Sequence, residues 1–180
     1  EPVPRAESRR KEQVLENLPE PIPFTGDLGI SFRDVCKGTH GMEDFIAQLT
    51  AEELNALCKG EGQMDSPLGT KGNAGMLGGT TRSLRDKGVP TLTTTDGPSG
   101  IRVCCYTALL PCGTALASSW DVKAVEALGH LFGQEMVRKG SDILLGPGLN
   151  IHRDPLCGRN FEYYSEDPLL SGTVAAAMVR

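Results

Sequence analysis

Residues 144–168, LLGPGLNIHRDPLCGRNFEYYSEDP, gather most of the side chains in this sequence that could handle a polar ligand. A short apolar run breaks at Gly146, Pro147 and Gly148. Asn150, His152, Arg153, Asp154, Arg159, Asn160, Glu162, Tyr163, Tyr164, Glu166 and Asp167 follow. The segment is too polar for a core and too rich in aromatic and turn residues for a disordered linker. A loop of this length within a packed chain is usually functional. A second candidate is Asp96, which ends the run VPTLTTTD and opens the turn DGPSGIR. A buried strand ending in a carboxylate and a tight Gly/Pro turn is how an α/β fold presents a ligand-binding acid. The same carboxylate could equally do no more than cap its own turn.

Most of the remaining polar residues have structural readings. His152 could be a ligand or a general base, and is read as a structural residue; His40 and His130 are expected at the surface. Glu166 and Asp167 are expected to order the loop and cap the helix after it. Arg153 and Asp154 are expected to pair locally. Tyr163 and Tyr164 could stack on a ring or pack beneath the loop. Trp120 is expected in the core. Cys157 lies in the loop, but no base partner is in view that would make it a nucleophile. The glycine-rich residues 60–81 hold neither GxGxxG nor GxxxxGK[ST], so a nucleotide site is not supported. A phosphorylated ligand at residues 146–148 is a weaker reading.

The elements that must carry these residues follow from periodicity and caps. Residues 1–23 are charged and punctuated by Pro2, Pro4, Pro19, Pro21 and Pro23, with a short helical stretch near residues 8–17; they read as a linker or arm. Alternation around Ile30, Phe32 and Val35 predicts a short strand or hairpin. Helices are predicted over residues 42–49 and from Thr50 to Lys59, the second opened by a Thr50/Glu53 capping box and a Leu49/Leu54 staple and stopped at Gly60. Residues 60–81 read as loop and 82–87 as a helical turn. Strands are expected at 89–96, at the apolar segment 109–119, and at 142–145. Asp121 should cap a helix that Gly140 ends, and Asp167-Pro168 should start another. Strands alternating with helices imply parallel pairing, with polar motifs after the strands, as in a (β/α) barrel or a doubly wound sheet.

The bulk numbers exclude some classes. The chain has 180 residues, 23% charged, with a net charge of −5, which gives no basic face for nucleic acid. No apolar run approaches the roughly 18 residues needed to cross a bilayer. The first residues have no apolar signal region. The six cysteines form no CxxC pair. They read as reduced, mostly buried thiols of a cytoplasmic protein, with secretion left open.

Four motifs carry a resemblance to a known family: LTAEELNAL, DGPSGIR, LASSWD and GPGLNIHRDPLCGRNFEYYSEDPLLSG. Together they resemble the first part of the catalytic barrel of glycoside hydrolase family 3, the β-glucosidase and β-xylosidase group, over residues 41–180. The stretch TGDLGISFRDVCKGTHGMEDFIAQLT resembles members with permuted domain order, and residues 1–40 would be the linker or arm. The resemblance implies an α/β fold, a partial (β/α) TIM-like barrel incomplete within this chain. It implies that Asp96 accepts hydrogen bonds from hydroxyls of a sugar in the −1 subsite, that Arg102 lines that pocket, and that Arg159 donates to a hydroxyl. Glu162 and His152 would support them. No cofactor and no metal are implied.

The implied activity is that of a retaining β-glycosidase, most closely a β-glucosidase, working through a covalent glycosyl-enzyme intermediate. Such an enzyme needs two carboxyl groups about 5–5.5 Å apart. In this family the nucleophile lies in a later SDW-like motif, and a Lys-His pair also comes later. Residues 1–180 contain neither motif, so no catalytic residue is assigned here, and about three of eight barrel strands are expected. The implied partners are a β-glucoside or oligosaccharide substrate and the remainder of the same enzyme. A non-catalytic sugar-binding or structural subunit of a split assembly is the alternative.

Overall fold

The computed structural model describes residues 10–180. The first nine residues of the expected arm, with Ser8 and Arg9 of its helical stretch, lie outside the described residues. Helix α1 spans Arg10–Glu16. The predicted strand or hairpin around Ile30 does not form; helix α2 runs instead over Phe32–Cys36. Two local facts decide this. Ser31 and Asp34 close a reciprocal capping box, each side chain accepting from the other's backbone N–H. The fully buried Gln48 amide takes the place of a neighbouring strand. Its Oε1 accepts from Leu28 and Ile30 N–H at 3.1 Å each, and its Nε2 donates to the Ile30 carbonyl at 2.6 Å.

Helices α3 (Met42–Ala47) and α4 (Ala51–Lys59) stand where the periodicity places them. Thr50 and Glu53 form the expected capping box, and Gly60 ends α4 at φ +64°. Ile30, Phe45, Leu49, Leu84 and Val89 pack into one apolar cluster, so part of the expected arm shares a core with these helices. Leu84 comes from α5 (Arg82–Asp86). Glu53 does more than cap. One oxygen accepts from Thr50 N–H at 2.9 Å, and the other takes Ser83 Oγ and Lys87 Nζ. Lys87 also reaches Asp27 at 3.1 Å. Burial alone would raise the Glu53 carboxyl, but hydrogen bonds from Ser83, the Thr50 backbone and Lys87 hold it below its ordinary value.

The sheet has three strands in the order β1-β2-β3. Strand β1 (Gly75–Gly78) lies inside the segment expected as loop. Its glycines carry little strand preference, and it is recruited by antiparallel pairing with β2 (Thr91–Asp96), Met76 opposite Thr93. Close approach explains the glycines: a Cβ on Gly78 would lie 2.4 Å from the Pro90 carbonyl. Strand β3 (Ile143–Leu145) pairs with β2 in parallel, Thr94 opposite Ile143 and Asp96 opposite Leu145. Asp142 fastens the start of this pair. Its carboxylate accepts from Thr93 N–H at 2.8 Å while its own N–H donates to the Thr93 carbonyl at 3.0 Å.

The apolar segment expected as a strand at 109–119 is instead α6, Gly113–Ser118. Only two strands therefore fall within residues 89–180. α7 (Val122–Lys139) is capped by Asp121 and ended by Gly140 at φ +70°. α8 (Pro168–Val179) has proline in its first turn and Asp167 as cap. α7 and α8 pack together around Val125, Phe132, Val174, Ala175 and Met178, with Ile101, Leu110 and Tyr164 beside them. The crossing is close: a Cβ on Gly129 would sit 2.4 Å from the Met178 carbonyl. A parallel strand pair joined by helices is part of a (β/α) barrel, open within this chain. Among the described residues no helix is long and apolar enough to cross a membrane. All six cysteines are free, but none is buried, contrary to expectation. They sit in loops and on helix faces turned to solvent.

Two outcomes follow from this packing. Gly129→Ala should lower stability by about 1–3 kcal/mol, since a backbone carbonyl must move to admit the methyl group; denaturant unfolding measures it. The depressed Glu53 carboxyl contributes stability above the ordinary carboxylate pKa and loses it as pH falls through its folded value. Unfolding free energy should therefore fall more steeply in the parent than in Glu53→Gln as pH drops below about 5.

Candidate functional site

Parallel pairing of β2 and β3 sets two loops side by side at the strands' carboxyl ends. The first is the turn at residues 96–102. Gly97 N–H donates to the Asp96 carboxylate at 2.9 Å, and Arg102 N–H donates to the Asp96 carbonyl at 2.9 Å. Only glycine fits at residues 97 and 100, where φ is positive and a Cβ would strike a backbone carbonyl. Gly97 has φ +113°, and a Cβ there would lie 1.9 Å from the Gly100 carbonyl. The folded-back turn lays the Arg102 guanidinium against the second Asp96 oxygen as an ion pair. Both side chains stay open to water, 65% and 38% exposed. Asp96 thus caps its turn through one oxygen and meets a cation through the other.

The second loop leaves β3 at Gly146, where a Cβ would lie 3.2 Å from the Cα of Pro98, so the two loops touch. It returns through a 3-10 turn, Asn160–Glu162, whose backbone is clamped from several sides. His152 Nε2 lies 2.8 Å from the Asn160 carbonyl and 3.3 Å from that of Tyr163. Both partners are acceptors, so Nε2 carries the proton. Thr114 Oγ of α6 donates to the same Tyr163 carbonyl at 2.9 Å. Gly148 bridges Tyr163 as in a parallel ladder. A Cβ on Gly148 would lie 2.6 Å from the Glu162 carbonyl, and one on Gly113 2.7 Å from it. Beneath the loop Tyr164 is buried, and its phenol is pushed up to about 12 by that burial.

The clamp presents Arg159. Its guanidinium pairs with the buried Glu162 carboxylate while remaining 73% exposed. The Glu162 hydrogen bond and charge raise the Arg159 pKa, and the field of Asp96 adds to them. The Asp96–Arg102 and Arg159–Glu162 pairs thus stand on neighbouring loops, with His152 behind the second as a brace. The arrangement leaves a carboxylate edge and two guanidinium forks open to solvent.

Other expectations for this loop are corrected. Arg153 and Asp154 do not pair: Arg153 donates to Asn150 Oδ1 at 2.7 Å, and Asp154 accepts from Leu156 N–H at 2.9 Å. Local turn bonds satisfy each of them separately. Asp167 caps α8 through Leu169 N–H, but Glu166 makes no such bond. Trp120 is 73% exposed rather than buried, because the sharp α6–α7 connection holds it at φ +55° and turns it outward. Thr114 and Gly113 carry no local signal of a site role, and Gly148, read from sequence only as part of a weaker phosphate-binding alternative, packs instead on the Glu162 carbonyl; all three act through contacts far along the chain. Among the described residues no group of three or more His, Cys, Asp or Glu side chains is placed to hold a metal ion.

A family model described as the glycosyl hydrolase family 3 N terminal domain matches residues 46–180. A β-glucosidase of Ruminococcus albus is 44% identical over 179 residues, covering 98% of this chain and 19% of that protein. β-Glucosidase A of Butyrivibrio fibrisolvens is 44% identical over 150 residues, covering 81% of this chain and 17% of its own. Among solved structures, a β-glucosidase from Paenibacillus barengoltzii superposes with a TM-score of 0.92 at 49% identity, over 99% of this chain and 19% of that one. β-Glucosidase 3B from Thermotoga neapolitana, in complex with glucose, gives 0.66 at 39%, over 76% and 20%. The chain spans about a fifth of the length of the curated relatives it matches.

The clamp yields a test. Because His152 and Thr114 share the Tyr163 carbonyl, His152→Ala and Thr114→Val should not add. A double-mutant cycle on unfolding should show a coupling of about 0.5–3 kcal/mol; additivity would mean the two donors act independently.

Proposed function

The chain belongs to glycosyl hydrolase family 3 through that family's N-terminal domain, and from this premise we propose that it forms part of a retaining β-glycosidase, specifically a β-glucosidase. Residues 41–180 are the first part of its barrel domain, and residues 1–40 are the arm leading into it. The substrate is a terminal, non-reducing β-linked glucoside or oligosaccharide. The observation that carries this reading is the pairing of Asp96–Arg102 with Arg159–Glu162 on touching loops at the carboxyl ends of two parallel strands. Barrel enzymes bind substrate at that end. The named activity of the relatives supports it.

In this reading Asp96 accepts hydrogen bonds from sugar hydroxyls, and Arg102 and Arg159 donate to others in the −1 subsite. A neutral hydroxyl bound to a charged partner contributes about 1.5–3 kcal/mol. Glu162 holds the Arg159 guanidinium, and His152 holds the backbone from which Arg159 projects. These residues orient the ring so that a carboxylate can attack the anomeric carbon as the aglycone leaves with a proton from a second carboxyl group. Water then cleaves the glycosyl-enzyme ester. Both carboxyl groups come from other segments of the enzyme, which are this chain's partner. Five of the six cysteines present exposed thiols, which suits a reducing, cytoplasmic setting.

In the full-length enzyme, Asp96→Ala should lower kcat/KM for an aryl β-glucoside by well over about tenfold, or 1.4 kcal/mol of transition-state binding. A smaller loss removes Asp96 from the sugar site.

A further inference from the structure

Behind the clamp lies a separate cavity of about 330 Å³, lined by Trp120, Ser118, His152, Ser165 and Glu166 over a floor that includes Tyr164. None of the −1 contacts lines it. α7 returns the chain between two parallel strands, so its first turn stands at the strands' carboxyl ends. The cavity, at the Trp120–Asp121 junction, therefore opens on the same end of the sheet as Asp96 and Arg159.

Three observations make it a candidate binding site. Trp120 is one of two non-glycine residues with positive φ among the described residues. Bulky side chains avoid that conformation, and glycine would meet it without steric cost. The indole is nevertheless 73% exposed, so packing within this chain does not explain it. Second, no hydrogen bond or ion pair among the described residues engages the Glu166 carboxylate. Third, His152 commits Nε2–H to the Asn160 and Tyr163 carbonyls, which leaves Nδ1 of the neutral ring as an acceptor.

From these we infer that the cavity framed by Trp120, His152 and Glu166 is a second saccharide subsite, distinct from the −1 contacts. An indole face stacks on the apolar C–H face of a sugar ring. A carboxylate and an imidazole nitrogen accept from its hydroxyls, and the neighbouring serines add donors. Tyr164 is buried in the floor, which leaves the indole as the one widely exposed aromatic face, too open to cage an organic cation held by several such faces. The inference rests on the reading of this chain as part of a β-glucosidase. The site would hold a more distant sugar unit of an oligosaccharide.

Titration of the full-length enzyme with a non-hydrolysable S-linked β-1,4 glucose trisaccharide should give a saturable shift in the emission contributed by Trp120, read as the difference between the parent and Trp120→Phe. Asp96→Ala should retain the shift. Glu166→Gln, a change at an exposed residue, should raise the half-saturating concentration by about tenfold. An unchanged emission overturns the proposal. So does loss of the shift in Asp96→Ala, which would trace it to the −1 contacts, or an unaltered half-saturation in Glu166→Gln. If the full-length Asp96→Ala enzyme keeps its activity while the shift persists, the β-glucosidase reading of Asp96 fails and the Trp120 subsite stands.

Discussion

The backbone of residues 160–163 is the point on which the site depends. Three elements hold it at once: α6 through Thr114 and the bare Cα of Gly113, the start of the loop through Gly148, and the middle of the loop through His152. Both side-chain donors reach carbonyl oxygens, and two contacts are close approaches that admit no side chain. A backbone gripped in this way has little freedom to shift, so the Arg159–Glu162 pair built on it is presented in one place. α6 can supply its share only because α7 and α8 pack against the same core and β3 returns beside β2.

The charges follow a consistent logic. Exposed ion pairs stabilise a fold by about 0–1 kcal/mol, so Asp96–Arg102, open to water on both sides, is not what keeps this structure folded. Its effect is to hold a carboxylate and a guanidinium in a fixed relation at the mouth of a turn. Arg159 and Glu162 differ in that the carboxylate is buried and the guanidinium is not. Burial makes the carboxylate need its cation, so Arg159 is fixed at one end while its remaining N–H groups stay available. Glu53 is a third case: its partners outweigh a real burial penalty, and it ties α4 to the residues that lead into β2.

The parts of this architecture that were legible in the sequence are those whose cause is local. Thr50 with Glu53, Asp121, Gly140 and Asp167-Pro168 satisfy or release backbone groups within one helical turn, and each stands where spacing placed it. The misread segments share the opposite property. Residues 28–31 alternate like a strand, yet the buried Gln48 amide, distant in sequence, takes their hydrogen bonds. Residues 75–78 look like loop and become strand because β2 lies alongside. The apolar segment before Trp120 becomes a helix whose small residues fit the backbone of Glu162 and Tyr163.

The sequence by itself determined helices α3, α4, α7 and α8, strands β2 and β3, the caps, and the two clusters of polar residues after those strands. These rest on periodicity and on groups a few residues apart. Only the tertiary structure decided that the loop after β3 touches the turn at Asp96, that Thr114 and His152 meet on one carbonyl, and that Trp120 faces outward over a cavity. Those outcomes depend on which surfaces meet once α6, α7 and α8 are packed, and residues 40 to 60 positions apart carry no local signal of one another. The loop at residues 144–168 was visible as a concentration of chemistry. The division of its residues between brace, ion pair and open cavity was a matter of packing.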